Sequence, residues 1–249
     1  MKAKYPVEPF AIAFIMFTAS MKESVLVGIM LLAAACVGCV LRSVPVSGGR
    51  WTNSILSGLL TAAAVFGSFL YVGIEIAVLK LIGIGLLGVF VARYVFLMEG
   101  HESAGELVRQ SAVAYGMLML AGYLRELLGS GTAFDSLITE GAVVSEAYLK
   151  PAFGFILAGL GLGLANRILK CSDEDESLWT IVPMVILYSP FVLGGIPELL
   201  GGLVGTVIAL VAFMAVRQRL LFSSPLPFMR RVPMHMLTMG FIYMIMSVL

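Results

Sequence analysis

The sequence predicts an all-α integral membrane protein with about nine transmembrane helices. Three observations support this: the composition, the hydropathy and the spacing of the apolar stretches. Of the 249 residues, 60% are apolar and only 12% are charged, against roughly a quarter charged in ordinary soluble domains. The mean hydropathy is +1.02. A soluble domain of this length cannot bury so many apolar side chains. The composition therefore excludes a soluble enzyme, a nucleic-acid binder and a disordered tail.

Charged residues divide the chain into nine apolar segments. In chain order the segments are 9–21, 24–41, 51–74, 81–98, 110–124, 151–166, 177–197, 199–216 and 232–249. A bilayer core about 30 Å thick requires about 20 residues of helix. The second, third and last three segments are long enough to cross unaided. The fifth and sixth need flanking Arg or Lys side chains that extend to the membrane surface.

Two segments do not fit a simple crossing. Segment 9–21 reaches only about 20 Å at about 1.5 Å per residue, and segment 81–98 contains Arg93 within an apolar stretch. Interrupted segments are typical of broken helices that line a site near the membrane midplane. The alternative is a tilted helix whose Arg93 side chain extends to one interface.

The basic residues indicate an orientation. The apolar run after Lys2 and Lys4 resembles a signal peptide, but the chain stays apolar beyond it, so we expect the run to be retained. If all nine segments cross, most basic residues lie on the side of the N-terminus. The exceptions are Lys22, Lys80, Arg125 and Lys150. Since basic residues favour the cytoplasmic side, the N-terminus is expected there.

Two stretches indicate an internal repeat. Arg125 and Glu126 stand at the end of segment 110–124 and precede Gly131, a residue type that commonly ends helices. Arg217 stands at a comparable place after segment 199–216. Tyr94 lies upstream of the first stretch and Ser189-Pro190 upstream of the second, at similar distances. This pattern suggests a three-helix unit used twice, as is common in membrane transport folds.

Each of the remaining polar residues has two possible interpretations, one structural and one functional. Glu75 is either a carboxylate at a helix end or part of an ion path. Cys36 and Cys39 form a C-x-x-C pair that could hold one side of a cluster, with Cys171 as a third ligand, but buried cysteines in an apolar helix usually act as small hydrophobes. His101, near Glu102, is either a proton relay or part of a solvated loop. No metal site is predicted from these residues.

Residues 124–134 (LRELLGSGTAF) and 149–159 (LKPAFGFILAG) resemble the membrane subunits of the Rnf complex and of the sodium-pumping NADH:quinone reductase. Residues 1–170 resemble the E-type subunit, and 178–249 resemble the second half of its A-type sister, with the acidic segment 171–177 as a linker. The resemblance implies broken helices that meet at the middle of the membrane. It also implies a bacterial or archaeal inner membrane and partner subunits that carry flavin or iron–sulfur groups.

In that family, cysteines of two sister subunits hold one [2Fe-2S] cluster. The equivalent positions here are Phe14, Tyr94 and either Ser189 or Pro190, and none is a cysteine. Phe and Pro cannot ligate iron, and Tyr or Ser oxygen is a poor substitute for thiolate. We therefore expect no cofactor within this chain.

The expected role is a scaffold subunit of an ion-translocating electron transport complex, without a catalytic site of its own. Arg93, Arg125, Glu126 and Arg217 are expected to fix the broken helices or to face partner subunits. The alternative is a stand-alone secondary permease built on a related repeat.

Overall fold

The computed structural model describes residues 7–43, 49–72, 77–97, 104–134, 136–139, 144–169, 178–188, 197–219 and 232–247. About 87% of this part of the chain is helical, which agrees with the expected all-α fold. Its α-helices are α1 (Val7–Met16), α2 (Met21–Ser43), α3 (Arg50–Val72), α4 (Val78–Leu97), α5 (Ala104–Ser130), α6 (Pro151–Leu169), α7 (Leu178–Leu187), α8 (Glu198–Arg219) and α9 (Met234–Met246).

Between α5 and α6 the chain forms two small elements. Strands β1 (Thr132–Ala133) and β2 (Ser136–Leu137) pair antiparallel, and a 3₁₀ helix (Glu146–Leu149) precedes α6. Gly131 follows α5 with a φ of +74°, which is the left-handed conformation expected where a helix ends. The predicted end of this helix near Gly131 is therefore confirmed.

Three helices in the described ranges are long and apolar enough to cross a membrane. The stretches that qualify are Met21–Leu41 in α2, Pro151–Leu169 in α6 and Leu200–Arg217 in α8. A helix of about 20 residues spans the apolar core of a bilayer. The length and composition of these helices are therefore consistent with a location in a membrane.

Apolar side chains cover much of the outer surface, whereas several polar side chains are buried. On α3, Leu59 is 64% exposed and Leu70 is 67% exposed, and Leu203 and Val207 of α8 are also exposed. Large contiguous apolar surfaces are rare on soluble monomers. The buried polar and charged residues are Thr18, Ser24, Ser54, Ser57, Thr61, Arg125, Glu126, Asn166 and Thr206. This distribution is the one expected for a helical bundle surrounded by lipid.

Helix α1 lies at the centre of the bundle. It packs against α4, α5, α6 and α7, and its side chains from Phe10 to Met16 are buried. At about 1.5 Å per residue it extends about 15 Å, roughly half the apolar core of a bilayer. Segment 9–21 is therefore not one helix. The first helix, α1, ends at Met16, and a new helix, α2, begins at Met21.

Helix α4 is continuous through Arg93 and Tyr94. The Arg93 guanidinium lies 4.8 Å from the centroid of the Trp51 ring, at the start of α3. An arginine placed over an aromatic ring gains a cation–π interaction. Because this charge is stabilised by a neighbouring helix, α4 needs no break at Arg93. The interpretation of segment 81–98 as a broken helix is therefore wrong for the described part, which forms one continuous helix.

Glycines bring two pairs of helices into close contact. A Cβ atom at Gly88 of α4 would lie 3.0 Å from the Gly58 Cα of α3, so these two backbones touch directly. Gly159 of α6 contacts Leu237 of α9, and Gly163 contacts Val232, which lies two residues before α9. Small residues allow such close packing, in which dispersion stabilises helix pairs within lipid.

Several helices end or begin at the same end of the bundle. Arg125 and Glu126, near the end of α5, contact the end of α1 and the start of α2. The ion pair of Lys80 with Glu23 places the start of α4 there as well. Because Met21–Leu41 is itself long enough to cross a membrane, the break between α1 and α2 lies at one end of a membrane-length helix. The break at the membrane midplane that the resemblance implies stays a prediction.

The acidic segment 171–177 lies outside the described residues, but the helices after it pack onto the earlier ones. Helix α9 packs along α6, and α7 packs against α1. α9 runs antiparallel to α6, because Gly240 lies against Ala152 and Ile156 whereas Val232 lies against Gly163. The two predicted regions therefore share one core across these helix pairs.

Candidate functional site

The candidate site is the turn formed by residues 17–20, which joins α1 to α2. Ser20 caps α2, because its Oγ accepts a hydrogen bond from the Glu23 backbone N–H at 3.2 Å. A serine in this position satisfies one of the free N–H groups at a helix start. The Ser24 hydroxyl donates back to the carbonyl of Phe17 at 3.2 Å. These short-range bonds define a sharp reversal of the chain rather than a frayed helix end.

Arg125 holds the α1 side of this turn, and only 1% of its surface is exposed. Its Nη1 donates to the Thr18 Oγ1 at 2.7 Å and to the Ile15 carbonyl at 3.4 Å. Its Nε donates to the Tyr148 carbonyl at 3.0 Å. Its Nη2 donates to the carbonyls of Leu149, at 2.6 Å, and Lys150, at 3.1 Å.

All five N–H groups of the Arg125 guanidinium thus have an acceptor within this chain, which is the full donor capacity of an arginine. Most of the acceptors are carbonyls at the ends of α1 and the 3₁₀ helix. Carbonyls at a helix C-terminus carry partial negative charge and favour a cation. The guanidinium therefore joins two helix ends that would otherwise leave buried carbonyls without donors.

Glu126 holds the α2 side of the same turn, and only 3% of its surface is exposed. Its Oε2 accepts the Met21 backbone N–H at 2.6 Å, and its Oε1 accepts the Thr132 hydroxyl at 3.3 Å. A carboxylate at a helix N-terminus is stabilised by the helix dipole and by free N–H groups. Glu126 therefore links α2 to the loop that follows α5.

Gly154 of α6 makes the close approach at this site possible. A Cβ atom there would lie 3.0 Å from the Ile15 carbonyl oxygen, 3.1 Å from the Ile15 Cα and 3.3 Å from the Arg125 Nη1. Two of these three neighbours are backbone atoms, which cannot yield as a flexible side chain can. The sequence pattern gave no indication of this role.

The end of α7 is held by a neutral donor. The Tyr243 hydroxyl of α9 donates to the Tyr188 carbonyl and, at 3.5 Å, to the Val185 carbonyl. The Thr206 hydroxyl of α8 also reaches the Val185 carbonyl at 3.5 Å. The Ile15 carbonyl of α1 and the Tyr188 carbonyl at the end of α7 thus each accept a hydrogen bond from a side chain of another helix.

Sequence reasoning missed several participants. Glu23 lies in the first turn of α2 and forms an ion pair with Lys80 of α4, a role that the sequence analysis does not predict. The pattern Ser20-x-x-Glu23 is a known signal of a helix start and could have identified the turn. The carbonyls that bind Arg125 carry no sequence signal, because every residue has one.

Two of the positions that correspond to cluster ligands in the resembled family, Phe14 and Tyr94, lie within the described residues. Phe14 is fully buried in α1, and its ring occupies the space in which a Cβ at Gly161 would lie. Tyr94 lies within the unbroken α4. Neither residue can supply a thiolate. Cys36 and Cys39 are exposed on α2, so the expectation that they are buried is wrong.

The other predicted residues lie elsewhere or outside the described part of the chain. Arg217 is exposed on α8 and does not take the buried position that Arg125 has, so the two members of the predicted repeat differ in environment. Glu75, Ser189, Pro190, His101 and Cys171 lie outside the described residues.

Within the described ranges, no group of three or more His, Cys, Asp or Glu side chains could hold a metal ion. No family model, curated protein or solved structure matches the chain. The chemistry of the Arg125 and Glu126 site is that of a fixed brace: each described bond joins one element of this chain to another.

Proposed function

We propose that the chain is an integral membrane subunit of an Rnf-like ion-translocating electron transport complex, in which it acts as a scaffold. Three features support the proposal. The stretch 124–134 resembles that family, the outer surface of the bundle is apolar, and the charged residues of the resembling stretch form an internal brace. An apolar surface of this kind requires lipid or other membrane subunits to cover it.

The Arg125 brace is the observation that carries the scaffold role. A transport protein that alternates between two states needs helices that move past each other. Here a buried guanidinium binds the ends of α1 and the 3₁₀ helix through five hydrogen bonds. Opening this junction would leave a buried charge and several carbonyls without partners, which is costly. A fixed junction suits a subunit that holds others in place.

The proposed topology has nine crossings with the N-terminus in the cytoplasm. The distribution of basic residues supports it. Lys22, Lys80 and Lys150 lie at the Arg125 end, at the starts of α2, α4 and α6. Together with Arg125 they are outnumbered by the basic residues towards the opposite end: Arg42 at the end of α2, Arg50 and Arg109 in the first parts of α3 and α5, and Arg93 and Arg167 in the later parts of α4 and α6. The opposite end is therefore assigned to the cytoplasm of a bacterial or archaeal cell.

The side chains at the cluster-equivalent positions argue that this subunit supplies no iron ligand. Any [2Fe-2S] centre of the proposed complex would be held by sister chains, and electrons would pass between their flavin or iron–sulfur groups. We assign the role of this chain in ion movement to Glu75, and this assignment stays a prediction.

Purification in a mild detergent from native membranes tests the proposal. We expect the tagged chain to be recovered with flavin- and iron-bearing partners. Arg217→Ala removes an exposed charge from α8 and should reduce that recovery while the chain stays folded. Arg109→Ala, also exposed but on α5, is the matched control. An isolated chain that exchanges a solute across liposome membranes would instead support the alternative of a permease.

A further inference from the structure

The loop after α5 presents apolar side chains at the end of the bundle. Phe134 is 50% exposed, Leu137 is 62% exposed and Ile138 is 53% exposed. They belong to a hairpin (131–134 with 136–139) built on β1 and β2. The eight described residues are uncharged, whereas Asp135, between the two strands, is charged and lies outside the described residues. Three large apolar side chains on so short a hairpin form a surface that water does not favour.

The hairpin is held firmly in place. The backbone N–H groups of Ile138 and Thr139 both donate to the Gly131 carbonyl, at 2.9 and 3.0 Å. The Thr132 hydroxyl donates to the buried Glu126 carboxylate. Phe134 has a φ of +51°, a conformation that is rare for a bulky residue and carries strain. The surrounding contacts thus fix the side chains outward rather than leave them to fold back.

The position of the hairpin indicates what covers it. It begins at Gly131, one residue beyond α5, and the chain returns from it to α6, whose stretch Pro151–Leu169 is long enough to cross a membrane. The Leu149 and Lys150 carbonyls, which immediately precede α6, bind Arg125 of α5. The hairpin and the start of α6 therefore lie at the same end of the bundle, and the end of a membrane-length helix lies near the boundary between headgroups and acyl chains. The pairing of β1 with β2 and the two bonds to the Gly131 carbonyl satisfy part of its backbone, which lowers the cost of entering that region.

We propose that this hairpin is an interfacial anchor that inserts Phe134, Leu137 and Ile138 into the lipid surface at the Arg125 end. The proposal depends on the membrane location in the proposed function. Apolar side chains at this depth bind the headgroup boundary in proportion to their buried area. The anchor would fix the depth of the α1–α2 turn, because the hairpin is bonded to Glu126.

Spin labels in phosphatidylcholine vesicles test the anchor. In a background of Cys36→Ser, Cys39→Ser and Cys171→Ser, a nitroxide is attached to Leu137→Cys, to Leu203→Cys on the apolar face of α8, or to Glu146→Cys on the exposed 3₁₀ helix. Collision with oxygen reports lipid, and collision with a water-soluble nickel chelate reports water. We expect the label at 137 to collide with nickel several-fold less often than the label at 146.

The two reference sites separate the possible failures. If the label at 203 reports lipid and the label at 137 reports water, the anchor is wrong and the membrane location stands. If both labels report water, the membrane location itself is wrong. If the label at 137 is accessible to nickel in vesicles but protected in native membranes, a protein partner covers the hairpin and the lipid proposal is overturned.

Discussion

Arg125 and Glu126 are adjacent in α5, yet they bind opposite sides of one turn. The Arg125 guanidinium donates to the Ile15 carbonyl at the end of α1, and the Glu126 carboxylate accepts the Met21 N–H at the start of α2. Each charge meets the helix end of opposite partial charge. A single pair of residues thus stabilises both halves of a helix reversal within a bundle whose outer surface is apolar.

Arg125→Ala should destabilise the chain by about 3 kcal/mol or more, since each buried acceptor left without a donor costs about 1–3 kcal/mol. Arg125→Lys should be intermediate, because an ammonium has three donors and cannot span two helix ends as a guanidinium does. The free energy of unfolding in mixed micelles with increasing dodecyl sulfate measures the effect. We expect assembly with partner subunits to be lost together with stability.

Arg109→Ala is the control for this series, because Arg109 lies on the same helix with an exposed side chain. It should leave the unfolding free energy nearly unchanged. Equal stability of Arg125→Ala and Arg109→Ala would contradict the brace.

The sequence identified the right pair of charges but not their partners. Arg125 and Glu126 stood out because charges are rare beside long apolar segments, and Gly131 indicated where α5 ends. The partners are backbone groups of residues 15, 21 and 148–150, which no side-chain pattern reveals. Arg217 shows the limit of the repeat argument: a similar place in the sequence leads to an exposed side chain, because burial depends on how the helices pack.

Glu126→Gln should destabilise the turn by a smaller amount, about 0.5–2 kcal/mol, because the amide keeps an acceptor oxygen but loses the charge that favours a helix N-terminus. Glu126→Ala should cost more, since the Met21 N–H then loses its acceptor and the Thr132 hydroxyl keeps only the Ser130 Oγ, 2.6 Å away. Unfolding free energies of the two variants, measured side by side, test this order. A Gln variant as unstable as the Ala variant would show that the carboxylate charge, rather than its acceptor geometry, accounts for the whole effect.

Gly154→Ala should destabilise the chain by about 1–3 kcal/mol, the range for a methyl group forced into a packed site. The added Cβ would press on the Ile15 backbone and the Arg125 Nη1 at 3.0–3.3 Å. Gly116→Ala in α5 is the matched control, because a Cβ there meets nothing within 4 Å. It should be neutral or stabilise the helix by up to about 1 kcal/mol. Thermal unfolding in detergent should show lower stability for Gly154→Ala and unchanged or higher stability for Gly116→Ala. A neutral Gly154→Ala would contradict the close approach of α6 to α1.

Tyr243→Phe removes the hydroxyl that holds the end of α7, and it should lower the unfolding free energy by about 0.5–1.5 kcal/mol, the net value of a typical hydrogen bond. The ring still packs beside Phe155, at 5.2 Å between centroids, so the loss reports the hydroxyl alone. Tyr71→Phe is the control, because Tyr71 is 93% exposed. The Thr206 hydroxyl can still reach the Val185 carbonyl, whereas the Tyr188 carbonyl loses this donor. The Thr206 hydroxyl has its shorter bond, at 2.9 Å, to the Gly202 carbonyl of its own helix, so it does not replace the lost bond. Equal effects of Tyr243→Phe and Tyr71→Phe would contradict the role of the Tyr243 hydroxyl at the end of α7.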